Sequence, residues 1–79
     1  MNTQIEPQRI IAQIDDSLIA EFISYWLMFD KPCPLTITPS DKSPGLVGIG
    51  FTVSDYKTME FMERAVSKTG AKLWNMTKK

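Results

Sequence analysis

The sequence predicts a small α+β protein, a two-layer sandwich in which two helices cover one face of a four-stranded antiparallel sheet. Two observations lead to this expectation. In several short segments, every second residue is hydrophobic and the residues between are polar or glycine, a pattern typical of strands with one buried face. Two longer segments between them are apolar at helical spacing and begin with capping residues. With 79 residues, the chain is expected to form a single domain over residues 1–79.

The first strand is predicted in the segment RIIAQI, where Ile10, Ala12 and Ile14 share one face. A helix starting near Pro7 is the alternative, because apolar residues of this region also fall four apart. That alternative gives an αββαβ domain with a long first helix and three strands. Residues 15–17 (DDS) favour the strand, since they suit the start of a helix better than its middle.

The first helix is expected to run from residues 15–17 to about Phe29, because two prolines follow and prevent its continuation. A short alternating strand then covers residues 35–38. Residues 39–45 (PSDKSPG) are rich in turn formers, and residues 46–53 form the next strand. These segments predict a hairpin with a loop of about six residues.

Ser54 or Asp55 is expected to cap a second helix, with Met59, Met62 and Val66 on its apolar stripe. A glycine at the predicted end of this helix supplies its C-terminal cap, and the segment AKLWNM forms the last strand. The resulting order βαββαβ is that of a ferredoxin-like sandwich. Enzymes, ligand sensors and RNA-binding domains share this fold, so the fold does not indicate a function.

The composition excludes several kinds of active site. The chain has no histidine and one cysteine, which excludes Ser-His and Cys-His nucleophile pairs, histidine-ligated metals and a CxxC pair. Nine basic and nine acidic residues give a net charge of zero, which argues against duplex DNA as a partner. We therefore expect a protein that is not an enzyme and that has no cofactor and no metal.

Two polar features have both a structural and a chemical interpretation. Cys33 lies between two prolines and close to Lys31, but with no histidine to act as a base it is expected to be a passive loop residue. Asp15 and Asp16 offer carboxylates to a cation, yet adjacent acids at a helix start are most often caps. We keep the two aspartates as candidates for contact with a small ligand.

The predicted first helix carries more apolar surface than one sheet can cover. Its sequence SLIAEFISYWLMF has two neighbouring apolar stripes, where a helix lying on a sheet needs one. We expect the excess to pack against another chain, either a second copy or a larger protein. The candidate contact residues are Tyr25, Trp26, Met28 and Phe29, with Trp74 as an outlying candidate. The alternative is that the second helix and the proline-bounded loop cover this surface.

The outward face of the predicted sheet is a second candidate surface. Along LVGIGFTV, every second residue points towards the helices, which leaves Gly48 and Gly50 on the outward face. Trp74 is expected on the same face. Because glycine in a strand often marks the close approach of a ligand or another backbone, Gly48 and Gly50 form the alternative site, for a small molecule, a base or a partner sheet.

One short segment invites a family comparison. Gly48-Ile49-Gly50-Phe51, on the third strand of a βαββαβ chain, resembles the glycine-aromatic core of the RNA-recognition motif, whose aromatic side chains stack on bases. The resemblance spans only this segment, and Ile49 and Ile11 stand where that motif has aromatic residues. It implies single-stranded RNA as a ligand of the sheet face.

These features predict a small accessory protein that acts by binding. The main expectation is a homo-oligomer, or an inhibitor or adaptor of a larger protein, of the kind that viruses and mobile elements encode. The alternatives are a sensor or sponge for a small molecule at a subunit interface, and an RNA-binding domain. The N-terminal residues lack the pattern of a secretory signal and the apolar stretches are too short to span a membrane, so a cytoplasmic location is expected.

Overall fold

A computed structural model describes residues 4–40 and 42–77 of the chain, apart from the side chain of Gln4. The predicted six-element order is confirmed, with a single 3₁₀ turn, Asp16–Leu18, before the first helix. The strands and helices are β1 (Gln4–Asp15), α1 (Ile19–Met28), β2 (Thr36–Pro39), β3 (Leu46–Asp55), α2 (Tyr56–Thr69) and β4 (Lys72–Asn75). One position of the predicted hairpin loop, Asp41, lies outside the described residues.

The four strands form one antiparallel sheet in the order β2-β3-β1-β4, and both helices pack on the same face of it. This is the predicted two-layer, ferredoxin-like arrangement. The αββαβ alternative is wrong, because the segment RIIAQI lies inside β1 and pairs with β3 on one side and with β4 on the other. Ile10, Ala12 and Ile14 are buried under the helices, as a strand with a period of two requires.

β1 is longer than predicted and begins at Gln4. The register of its pairing with β3 shifts between Gln4 and Gln8, and Pro7 lies inside this irregular stretch. A proline is tolerated here because β4 pairs only with Ile10–Gln13, so the missing amide hydrogen of Pro7 breaks no pairing with β4.

The core lies between the helices and the inward face of the sheet, and three phenylalanines form its centre. Phe22 of α1, Phe51 of β3 and Phe61 of α2 are each fully buried. Their ring centroids lie 5.5 Å apart for Phe22 and Phe61, 5.6 Å for Phe51 and Phe61, and 6.3 Å for Phe22 and Phe51. Tilted and edge-on contacts at such distances are the favoured geometry of aromatic pairs. The cluster therefore joins both helices to the sheet at one point.

The buried stripe of α2 differs from the prediction. The residues that face the core are Thr58, Phe61, Ala65 and Thr69, whereas Met59, Met62 and Val66 lie half-buried at its flank. The stripe is set by Phe61, which enters the phenylalanine cluster. The two threonines are tolerated beside it, since the Thr69 hydroxyl donates to the carbonyl of Ala65 (2.7 Å).

Side-chain and backbone caps fix the ends of the helical segments. The Asp55 carboxylate accepts from the Thr58 amide (2.8 Å), and the Asp15 carboxylate accepts from the Ser17 amide (3.0 Å). These hydrogen bonds favour the charged form and hold the pKa of both carboxyl groups below its usual range. α2 ends at Gly70, whose φ of 70° is the left-handed conformation that glycine adopts readily. The predicted caps, including Asp55 and Gly70, are confirmed.

Among the described residues, no helix has the length and apolar character needed to cross a membrane.

The phenylalanine cluster makes Phe61 a sensitive position. Replacing Phe61 by Ala should lower the free energy of unfolding by about 3–5 kcal/mol, because the ring leaves a cavity between α1 and β3. Phe61→Leu, which fills most of that space, should cost about 1–2 kcal/mol. Urea unfolding followed by circular dichroism measures both. Tyr56→Ala, an exposed position of the same helix, is the control and should change stability by less than about 0.5 kcal/mol; equal losses for Phe61→Ala and Tyr56→Ala would contradict the central role of the cluster.

Candidate functional site on the open face of the sheet

The side of the sheet that faces away from the helices, called the open face below, is organised by the register of the strands. Two rows of outward residues cross all four strands, and in both rows the residue on β3 is a glycine: Thr36, Gly50, Ile11, Trp74 and Thr38, Gly48, Gln13, Lys72. In these two rows β3 therefore contributes no side chain between those of β2 and those of β1. The open face is therefore concave where an ordinary sheet would carry side chains.

This concavity is a groove of about 440 Å³. Its floor is Gly48 and Gly50, and its lining is mostly apolar. The lining residues are Ile11, Gln13, Thr36, Thr38, Pro39, Ser40, Gly48, Gly50, Trp74 and Met76. The predicted outward position of Gly48, Gly50 and Trp74 is confirmed, and the structure brings the three together around one groove.

Side chains of neighbouring strands lie close above both floor glycines. A Cβ atom at Gly48 would lie 3.2 Å from Cγ2 of Ile11. A Cβ atom at Gly50 would lie 2.8 Å from both the Nη2 atom of Arg9 and the Oγ1 atom of Thr36. A side chain at either position would fill the groove or push its walls apart, so the shape of the site depends on these two glycines.

Arg9 places a positive charge next to Gly50 and Thr36, two of the residues that line the groove. Its guanidinium extends over Gly50, with Nη1 3.4 Å from the Thr52 hydroxyl and Nη2 3.4 Å from the Thr36 hydroxyl. Within residues 4–40 and 42–77, the one ion pair is that of Lys57 with Asp30, on the helical side of the molecule. The Arg9 guanidinium thus has long, weak hydrogen bonds and no carboxylate partner there, which leaves its donors available to an anion.

Trp74 and Met76 supply the apolar side of the groove. They are 47% and 52% exposed, although both are large hydrophobic side chains. Trp74 lies directly across from Ile11, and the Met76 amide donates to the carbonyl of Arg9 (2.6 Å). The indole, the thioether and the guanidinium therefore occupy neighbouring positions on β4, on the residue that follows β4, and on β1.

The apolar residues predicted for a contact on α1 are more enclosed than the sequence suggests. Phe22 is fully buried, and Tyr25, Trp26 and Phe29 are half-buried against the core. Met28, at 66% exposed, is the one candidate contact residue of this helix that stands mainly in water. Its neighbour Leu27, which was not among the candidates, is 55% exposed.

The enclosure of Trp26 has a specific cause. Its indole Nε1–H donates to the carbonyl of Cys33 (2.6 Å), which fixes the proline-bounded loop against α1. The loop begins with Asp30 and Lys31, whose φ angles of 65° and 50° turn the chain sharply after the helix. The structure therefore places Trp26 under the loop, and well away from Trp74 on the open face.

Asp15 and Asp16 do not belong to the groove. Asp15 caps the 3₁₀ turn through its bonds to Ser17, and Asp16 is exposed in that turn. Asp15 lines a separate cavity of about 300 Å³ at the end of the sandwich. No group of three metal-ligating side chains occurs within the part of the chain that the structure describes.

The segment that resembles the RNA-recognition motif has the opposite side-chain orientation. Ile49 and Phe51 point into the core and are fully buried, while Gly48 and Gly50 point outward. Base stacking by that motif needs its aromatic residues on the open face. Here the aromatic residue of the groove is Trp74, on a different strand. No family model, curated protein or solved structure matches the chain.

Arg9 is the functional candidate that the sequence reasoning missed. The signal was present, because Arg9 alternates with Ile10 and therefore shares the outward face of β1 with Ile11 and Gln13. Its reach to Thr36, two strands away, follows only from the glycine at position 50 between them.

The Cys33 thiol is held in its protonated form. Burial is the main cause, and the charge of Asp55 adds to it against a smaller opposing effect of Arg9; together they raise the pKa of Cys33 to about 11. Lys31 does not lower the pKa of this thiol. The surroundings of Cys33 therefore agree with the expectation that it is a passive loop residue.

We predict that iodoacetamide will modify Cys33 slowly at pH 8 in the folded protein. With a pKa of about 11, roughly one thiol in a thousand is a thiolate at that pH, against about one in four for an exposed cysteine. The alkylation rate, followed by mass spectrometry, should be at least about 100-fold lower than in guanidinium chloride and should rise with pH up to 10. A rate equal to that of the unfolded chain would contradict the described burial.

Proposed function

We propose that this chain is a non-enzymatic binding protein, and that its site is the groove on the open face. The ligand that fits this site is a flat ring carrying an anionic group. The observation that carries the proposal is the groove itself, with a glycine floor, Trp74 and Met76 on its apolar side, and the Arg9 guanidinium over Gly50, which has no carboxylate partner among the described residues. An open sheet face with no ligand to bind normally carries polar side chains at these positions.

The size and lining of the groove support a small, flat ligand. Its volume of about 440 Å³ lies in the range of small-molecule sites, which are mostly apolar with a few polar groups that fix orientation. Gly48 leaves the backbone of β3 without a side chain that would hold a ring away from it, while the space over Gly50 is occupied by the Arg9 guanidinium and the Thr36 hydroxyl. Trp74 lines the same groove on the far side of Ile11 and offers its indole as a stacking partner.

Charge supports an anionic group on the ring. The planar guanidinium of Arg9 pairs with a carboxylate or a phosphate through parallel hydrogen bonds. The hydroxyls of Thr36 and Thr52 lie next to it and add donors. Among the described residues that line the groove, none carries an acidic side chain.

The lining also favours binding over catalysis. The described lining residues supply hydroxyl groups and one amide side chain but no thiol, carboxylate or imidazole, so none of them offers a base that would activate a hydroxyl. Cys33 is buried with its thiol protonated, and it is not part of the groove.

The test uses two probes with the same ring and nearly the same shape, anionic 2-naphthoate and neutral 2-naphthamide, measured by isothermal titration calorimetry. We expect naphthoate to bind about tenfold more tightly, because its carboxylate gains a charge-assisted hydrogen bond from Arg9. Arg9→Gln should remove that difference and leave the affinity for naphthamide unchanged. Adenosine monophosphate and adenosine give a second pair of probes, one anionic and one neutral. The affinity for a single-stranded oligonucleotide shows whether the natural ligand is a nucleic acid rather than a small molecule.

A variant that fills the groove provides the structural control. Gly48→Val should weaken both naphthyl probes by about tenfold or more, since the added side chain occupies the floor, while valine favours the strand. Ser54→Val adds a similar side chain to the same strand outside the groove and should bind like the unmodified protein. Equal affinity of the unmodified protein, Gly48→Val and Ser54→Val for the naphthyl probes would contradict the proposed site. So would the absence of binding of every naphthyl and adenosine probe to the unmodified protein.

A further inference from the structure

We infer that two copies of this chain pair through β4 and form one continuous eight-stranded sheet. β4 is the last strand of the sheet, and no described strand covers its outer side. An open edge presents unpaired backbone groups, and another extended strand is the partner that satisfies them. The choice of a second copy rests on four features of this edge, independently of the proposed ligand.

The first feature is the direction of the backbone groups of β4. The Met76 amide donates to the carbonyl of Arg9 in β1 (2.6 Å). Backbone groups of a strand alternate in direction, so those of Trp74 also face β1. The amide and carbonyl groups of Leu73 and Asn75 therefore point outward, to the free side of the edge.

The second feature is the contrast with the opposite edge of the sheet. The Ser40 amide donates to the carbonyl of Leu46 in β3 (3.1 Å), so by the same alternation Ile37 and Pro39 are the residues of β2 that face outward. Pro39 has no amide hydrogen. The β2 edge thus offers one outward donor, from Ile37, whereas the β4 edge offers two.

The third feature is that β4 exposes one large apolar side chain on each of its faces. Leu73, on the helical side, is 41% exposed, and Trp74, on the open face, is 47% exposed. Edge strands that remain free in water are usually protected by charged side chains, proline or a bulge. Lys72 is the one charged residue of β4, and the strand contains no proline.

The fourth feature is a self-complementary register. Residues that lie opposite each other in antiparallel strands have their side chains on the same face of the sheet. In addition, the backbone groups of Leu73 and Asn75, which point outward, must pair with the outward backbone groups of the second copy. Both conditions hold when Trp74 lies opposite Trp74 of the second copy. Leu73 of each copy then exchanges two hydrogen bonds with Asn75 of the other, giving four in total. Other registers need residues beyond β4, and the Thr77 amide is already bonded to the Asn75 side chain (2.9 Å).

This pairing has a consequence for the open face. The two-fold axis is perpendicular to the sheet and passes between the two Trp74 side chains, so both open faces lie on the same side. The two grooves then flank a central pair of indoles. The paired segment is short, which predicts a weak dimer in exchange with the monomer.

The first experiment is sedimentation velocity over protein concentrations from about 10 µM to 1 mM. The unmodified chain should shift from monomer to dimer across this range. Leu73→Pro removes an outward amide of β4 and should leave a monomer throughout. The matched control is Ile37→Pro, which removes the outward amide of β2 and should dimerise normally. A monomer at all concentrations, or equal loss of the dimer in the two proline variants, would overturn the inference.

A cross-link tests the register even where a proline variant does not fold. In a Cys33→Ala background, Trp74→Cys should form an intermolecular disulfide under mild oxidation, because opposed residues of a non-hydrogen-bonded pair have Cα atoms about 4.5 Å apart. Ile37→Cys, on the other edge, should stay monomeric on a non-reducing gel. A disulfide dimer of Ile37→Cys with none for Trp74→Cys would overturn the assignment to β4.

Discussion

The contact of Phe22, Phe51 and Phe61 is the interaction on which the rest of the structure depends. It joins α1, α2 and the middle of β3 at one point, with centroid separations between 5.5 and 6.3 Å. In a chain of 79 residues the core is small, so a single cluster of large rings contributes a large share of the buried apolar surface. Because Phe51 must point inward to reach this cluster, the glycines on either side of Ile49 must point outward.

The shape of the open face follows from that constraint. Side chains alternate along a strand, so Phe51 fixes the direction of every residue of β3. The register then carries Thr36, Ile11 and Trp74 into line with Gly50 on the neighbouring strands. A groove with a backbone floor forms because two of the β3 residues that this alternation turns outward are glycines. The site and the core are thus two consequences of one alternating strand.

Elements defined by local pattern could be predicted from the sequence. The alternation in β3, the Asp55 cap and the Gly70 cap each depend on a few adjacent residues, and all three appear as expected. The buried stripe of α2 could not be predicted, because the position of Phe61 depends on rings that arrive from α1 and β3.

The candidate surfaces show the same distinction. Gly48, Gly50 and Trp74 could be assigned to one face by counting alternate residues, and they meet in the groove. The enclosure of Trp26 could not be predicted, since it depends on a hydrogen bond to the Cys33 carbonyl after a sharp turn of the chain. The reach of Arg9 across Gly50 likewise joins three strands. Contacts of this kind exist only once the strands and helices are assembled.

We propose that this protein binds its ligand through the open face of its sheet and not through α1. The most direct test is a ¹H–¹⁵N correlation spectrum of the labelled protein recorded while 2-naphthoate is added. The groove predicts shifts of the Gly48 and Gly50 amides and of the Trp74 indole N–H, with Leu27 and Met28 unchanged. Shifts confined to Leu27, Met28 and their neighbours, with the two glycine amides unmoved, would contradict it.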